Sequence, residues 1–136
     1  MVIFMQRQYK KAVSTLLALA MVIGLFAAMP MTASAMTAKE LGTYINGFDP
    51  GPNSDGKLWA YSISGRSGIV PISETTKVIY VSGTVTGATN ELELNIDADL
   101  KVVWMADYSG SIGGSWLIEL TGGGTFEIAG GSIIVN

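Results

Sequence analysis

Apolar and polar positions along this chain follow two different periods, and the change between them falls near residue 57. Leu41, Tyr44, Ile45 and Phe48 recur at intervals of three and four, the spacing that lines up side chains on one face of an α-helix. Thr37-Ala38-Lys39-Glu40 precedes them with the Thr-x-x-Glu spacing of a capping box, in which hydroxyl and carboxylate each accept from a backbone N–H left open by the first turn. A helix of about three turns that stops near Gly47 is expected. The stretch Asp49 to Gly56, DPGPNSDG, holds two prolines and two glycines and reads as a loop.

Beyond it the period becomes two. Leu58, Ala60 and Ser62 alternate with Trp59, Tyr61 and Ile63, and short β-branched or aromatic runs follow at Val78–Thr86, Leu92–Ile96, Lys101–Tyr108, Trp116–Leu120, Thr125–Ala129 and Ser132–Val135. Glycines separate them, notably Gly87, Gly110, Gly113-Gly114, Gly122 to Gly124 and Gly130-Gly131. One helix and seven or eight strands predict an all-β domain with an amino-terminal capping helix. Two architectures fit that inventory, a β-sandwich of hairpins and a β-solenoid of stacked coils.

An internal repeat favours the solenoid. Sliding the carboxy-terminal half by 26 residues places Leu92 on Ile118, Glu93 on Glu119 and Leu94 on Leu120, and also Leu100 on Phe126, Lys101 on Glu127 and Val102 on Ile128. Parallel stacking would produce such a register, with apolar residues over apolar residues inside and Lys101 beside Glu127 outside.

The amino-terminal residues belong to neither pattern. Arg7, Lys10 and Lys11 lead into an unbroken apolar or small-residue run from Ala12 to Ala28, Pro30 ends it, and Ala33-Ser34-Ala35 offers small residues at the positions a signal peptidase reads. Residues 1–35 are therefore expected to be a secretory signal peptide, with the mature chain starting at Met36 and released from the membrane. The 17 residues from 12 to 28 are at the short limit for a permanent span. The remainder divides into 36–56, a capping helix and loop, and 57–136, the strands.

Composition then narrows the chemistry. The 136 residues contain no histidine and no cysteine, which excludes a thiol nucleophile, a disulfide, a Ser-His-Asp triad and any ordinary zinc or haem site. All 11 acidic residues follow Ala35, against five basic ones (Lys39, Lys57, Arg66, Lys77 and Lys101), for a net charge of −6. Nucleic acid is an unsuitable partner for such a surface, because phosphate binding needs a cationic stripe.

The run ELELNIDADLKVVWMADYSGSIGGSWLIELTGGGTFEIAGGSIIVN, Glu91 to Asn136, resembles the opening coils of right-handed parallel β-helix proteins of the pectate-lyase-like type, in which GGTFEI and GGSI phrases mark successive turns. Glu40-Leu41 and Tyr44-Ile45, followed by the run Val78 to Val85, resemble that superfamily's amphipathic cap and first strand. The resemblance implies a secreted bacterial surface protein, and the superfamily includes enzymes that cut polysaccharides with paired carboxylates or with calcium. A complete member has many more coils. This sequence stops within a strand at Ile133 to Asn136, so a truncated solenoid that self-associates through its carboxy-terminal coil is expected.

Three groups of residues could carry function. Asp97 and Asp99, with Asp107 further on, could form an acid and base pair, but Asp-Ala-Asp between two strands suits a turn. Pro52 to Gly56 is similar to the middle of a calcium loop, yet Gly51 and Ser62 stand where the charged end ligands belong. Arg66, the one arginine after Ala35, lies in a glycine-flanked loop. No catalytic residue, metal or cofactor is expected. Trp59, Tyr61, Tyr80, Trp104, Tyr108 and Trp116 offer flat faces for sugar rings; parity assigns Trp104 and Trp116 to the core and leaves Trp59 and Tyr61 as the candidate glycan contacts.

The expected function is a noncatalytic secreted or cell-surface β-solenoid with a structural, adhesive or glycan-contacting role. Two alternatives stand beside it: the amino-terminal fragment of a polysaccharide lyase or glycoside hydrolase without its catalytic coils, and a β-sandwich carbohydrate-binding module.

Overall fold

In the computed structural model, which describes residues 34–136, the chain enters at Thr37 through the expected cap. The signal peptide expected at residues 1–35 lies outside the described residues, except for Ser34 and Ala35. The Thr37 hydroxyl accepts from the Glu40 N–H at 3.4 Å, and the Glu40 carboxylate accepts from the Thr37 N–H at 2.9 Å. Helix α1 (Ala38–Gly47) follows and buries Ala38, Leu41, Gly42 and Ile45 on one face. Among the described residues no helix is long and apolar enough to cross a membrane.

The rest is strand and turn, so the described residues are mostly β: β1 (Asp55–Ser64), β2 (Gly68–Val70), β3 (Val78–Ala88), β4 (Leu92–Ile96), β5 (Lys101–Trp104), β6 (Asp107–Gly110), β7 (Ile118–Gly122), β8 (Thr125–Ile128) and β9 (Ser132–Val135). Strand β1 pairs antiparallel with β2 and with β3. The other pairings are parallel: β3 with β5 and β6, β4 with β7, β5 with β8, and β6 with β9. Strand β3 serves two neighbours because it is long: Val78–Val81 pair with β5 and Thr84–Ala88 with β6, and between them Gly83 has a φ of +117° and a close approach to the Lys57 carbonyl that leave no room for a Cβ.

The parallel registers can be read residue by residue. Leu92 faces Ile118 and Leu94 faces Leu120, an offset of 26 residues that matches the sequence repeat. The same offset fails for the next pair of strands. Val102 faces Phe126 and Trp104 faces Ile128, an offset of 24, so Leu100 is not over Phe126 and Val102 is not over Ile128. Turn length is the cause: residues 97–100 join β4 to β5, whereas only 123–124 join β7 to β8. Three residues, 129–131, then join β8 to β9 where two join β5 to β6, and the offset becomes 25 (Asp107 facing Ser132). Lys101 and Glu127 still form an ion pair, on a diagonal between neighbouring strands.

Apolar residues on the inward side of these strands meet the buried face of α1. Ile79, Val81, Val85, Leu92, Leu94, Val102, Trp104 and Tyr108 are all fully buried with Leu41 and Ile45. The indole N–H of Trp104 donates to the Ala106 carbonyl at 2.9 Å, and its ring meets Tyr108 edge-on with centroids 6.0 Å apart. The run expected as one strand from Lys101 to Tyr108 is broken at Met105 and Ala106, where the chain turns between β5 and β6. Trp116 also departs from expectation: it is 74% exposed rather than core. It precedes β7, in an irregular segment where strand alternation does not hold.

Candidate functional site

Alternation along β1 sends Leu58 and Ala60 inward and Lys57, Trp59 and Tyr61 outward. Leu58 is 2% exposed and Trp59 is 55% exposed, the contrast expected of a strand with one wet face. Lys57 lies beside Trp59, its Nζ 4.9 Å from the indole centroid, within range of a cation–π contact. The antiparallel register sets Trp59 opposite Ser82 and Tyr61 opposite Tyr80. The two tyrosine rings stand 5.9 Å apart with 17° between their planes. Their outward row continues from Tyr80 to Val103 on β5 and on to Glu127 on β8.

The structure therefore brings the two expected contacts, Trp59 and Tyr61, onto one outward face and adds Tyr80 to them. Of the other aromatics considered, Trp104 and Tyr108 are core and Trp116 lies outside this row. Lys57 is a member that sequence reasoning missed; its signal was the i, i+2 spacing to Trp59, which puts both on one side of a strand. The available chemistry is stacking on flat aromatic faces, with hydroxyls from Tyr61, Tyr80 and Ser82 and a cation at one end.

The carboxylates are engaged locally. Asp97 Oδ1 accepts from the Asp99 N–H at 3.1 Å, and the Asp97 carbonyl accepts from the Leu100 N–H at 2.9 Å, which makes this segment an Asx-type turn between β4 and β5. Asp99 lies 3.9 Å from the Lys77 ammonium at the rim of an open cleft shared with Glu74 and Thr37. Asp107 is elsewhere, accepting from the Ser132 hydroxyl at 2.9 Å. Just before the calcium-like stretch Pro52 to Gly56, Asp49 Oδ1 accepts from the Gly51 N–H at 3.0 Å, and the Pro50 carbonyl accepts from Thr89 and Asn90 at 2.8 and 3.1 Å. These contacts fasten the loop to the end of β3.

Compared with known proteins, the chain matches no family model, no curated protein and no solved structure.

Proposed function

We propose that this chain is a noncatalytic secreted or cell-surface β-solenoid whose outer wall contacts neutral glycans through Trp59, Tyr61 and Tyr80. The observation that carries the glycan reading is the alignment of three aromatic side chains on one outward face, two of them with nearly parallel, stacked rings across neighbouring strands. Sugar rings present apolar C–H faces with hydroxyls at the rim, and such a surface matches both. Support for the solenoid is that β4, β5 and β6 are each followed, in the same order, by a parallel neighbour in β7, β8 and β9 at offsets of 26, 24 and 25 residues. A β-sandwich would need antiparallel pairing there. Export rests on the ordered cationic, apolar and small-residue zones of residues 1–35.

The noncatalytic reading is supported by the absence of histidine and cysteine and by the use of Asp97 in a turn. The test is co-sedimentation of the exported protein with insoluble neutral polysaccharides, cellulose, xylan and mannan, alongside turnover assays on pectin and xylan. Binding to at least one polymer is expected, with roughly tenfold loss in Trp59→Ala and in Tyr61→Ala, a change of about 1.4 kcal/mol each. Binding unaltered by both substitutions would remove the glycan assignment. Turnover abolished by Asp97→Ala or Asp99→Ala would replace it with the lyase or hydrolase alternative.

A further inference from the structure

Strand β1 runs on past its pairing with β3. The two strands pair from Asp55 to Tyr61 on β1, and residues 62–64 continue with β2. The resulting arm turns at Ser64 to Ser67, where the Ser67 N–H donates to the Ser64 carbonyl at 3.1 Å. Strand β2 has β1 as its one strand neighbour among the described residues, and Gly65 and Gly68 have open space where a Cβ would stand. The arm therefore projects from the sheet into water.

Its surface is apolar and cationic at once. Ile63 and Ile69 are direct partners across the arm, so their side chains share one side, and they are 49% and 71% exposed. Alternation puts Ile63 on the side of Trp59 and Tyr61, so the isoleucines prolong the aromatic row towards the tip. Arg66 stands exposed at the turn with no ion-pair partner among the described residues, and Lys57 lies over Trp59 rather than beside a carboxylate. No acid occurs between Asp55 and Glu74, a stretch that holds both of these cations. Elsewhere after Ala35, three cations stand against eleven carboxylates.

We propose that this arm docks on a bilayer surface carrying anionic lipid headgroups, with Ile63 and Ile69 entering the acyl boundary and Arg66 and Lys57 meeting phosphates. Charge selects both the target and the orientation, because a negative surface repels the acidic body and attracts this arm. Size selects a bilayer over a folded protein. Two isoleucines and a turn fall far short of burying the ~1,000 Å² that specific protein association needs. A fluid bilayer needs no matching shape, and each apolar side chain and each cation adds to its binding separately. Trp59 and Tyr61 then stand at the headgroup level, where amphipathic indole and phenol rings settle. The contact is peripheral and reversible.

The experiment is co-sedimentation of the exported protein with vesicles of phosphatidylcholine alone and of an equal mixture with phosphatidylglycerol, at low and at raised salt. Binding to the mixed vesicles at low salt is expected, weakened roughly tenfold by raised salt or by leaving out phosphatidylglycerol. Ile63→Thr and Ile69→Thr keep the branched shape that a strand favours and should each weaken binding roughly fivefold. Arg66→Gln should weaken it by about as much and reduce its dependence on salt. That variant alters no strand residue, so it decides the matter where a threonine loosens the hairpin. No binding to either vesicle, equal binding to both, or binding unchanged by Arg66→Gln would each overturn the proposal. So would self-association without vesicles that Arg66→Gln abolishes, since the arm would then dock on the acidic body of a second copy.

Discussion

Asn46 holds the backbone of Ala60 with both ends of its carboxamide: Oδ1 accepts from the Ala60 N–H at 2.8 Å, and Nδ2 donates to the Ala60 carbonyl at 3.1 Å. A helical side chain thus takes the place of a neighbouring strand at this point on β1 and ties α1 to the sheet. Asn46→Ala would leave both groups unpaired at a half-buried site, with an expected loss of about 1–3 kcal/mol in urea unfolding. Asn46→Asp keeps the acceptor and should lose less near neutral pH. Equal stability of Asn46→Ala and wild type would show that water replaces the amide at no cost.

Tyr108 should make stability fall at alkaline pH. Burial, with a smaller contribution from Tyr44, pushes its phenol up to about 12 from the ordinary 10.0. The folded state thus holds this proton more tightly than the unfolded chain does. Stability linked to it is complete below pH 10 and falls as pH rises through 10 towards 12, by up to about 2–3 kcal/mol. Tyr108→Phe keeps the ring and should flatten that fall, leaving neutral-pH stability within about 1 kcal/mol of wild type. Urea midpoints measured from pH 8 to pH 12 provide the comparison, and parallel curves for the two proteins would refute the assignment.

Two glycines in the same region should behave oppositely. Gly122 has φ +89°, and a Cβ there would overlap the Ile96 carbonyl of the neighbouring strand, so Gly122→Ala should cost about 2 kcal/mol or more. Gly113 has ordinary φ and open space around the same position, so Gly113→Ala should be neutral or slightly stabilising. Thermal midpoints of the two variants decide the matter.

Glu93 and Glu119 are direct neighbours across the β4–β7 pairing, two like charges side by side. Glu119→Lys should relieve that repulsion and stabilise by about 0.2–1 kcal/mol at low salt, an effect that shrinks as salt is added. Removing Lys101 from its exposed pair with Glu127 should cost no more than about 1 kcal/mol. Salt-independent gains in Glu119→Lys would point to packing rather than charge.

Local signals in the sequence were read accurately, and signals set by turns were not. The capping box and the spacing of Leu41 and Ile45 place α1 because a helix is specified by residues three and four apart. Leu92–Ile96 and Ser132–Val135 were delimited correctly by their flanking turns, and the outward positions of Trp59 and Tyr61 followed from alternation. The β5–β8 register was misjudged because a two-residue corner replaces a four-residue one, and side-chain pattern says little about corner length. Trp116 was misassigned by extending alternation two residues before β7 begins. The grip of Asn46 on Ala60 spans 14 residues between two elements of different period, and no local pattern marks it.

The parallel register of β9 on β6 also has a mechanical consequence. Their hydrogen bonds run across the strands, so tension that draws Asn136 away from Gly110 opens the rungs in succession, like a zipper, rather than shearing them together. The force needed is then that of about one rung at a time, and the strands would peel from that side singly.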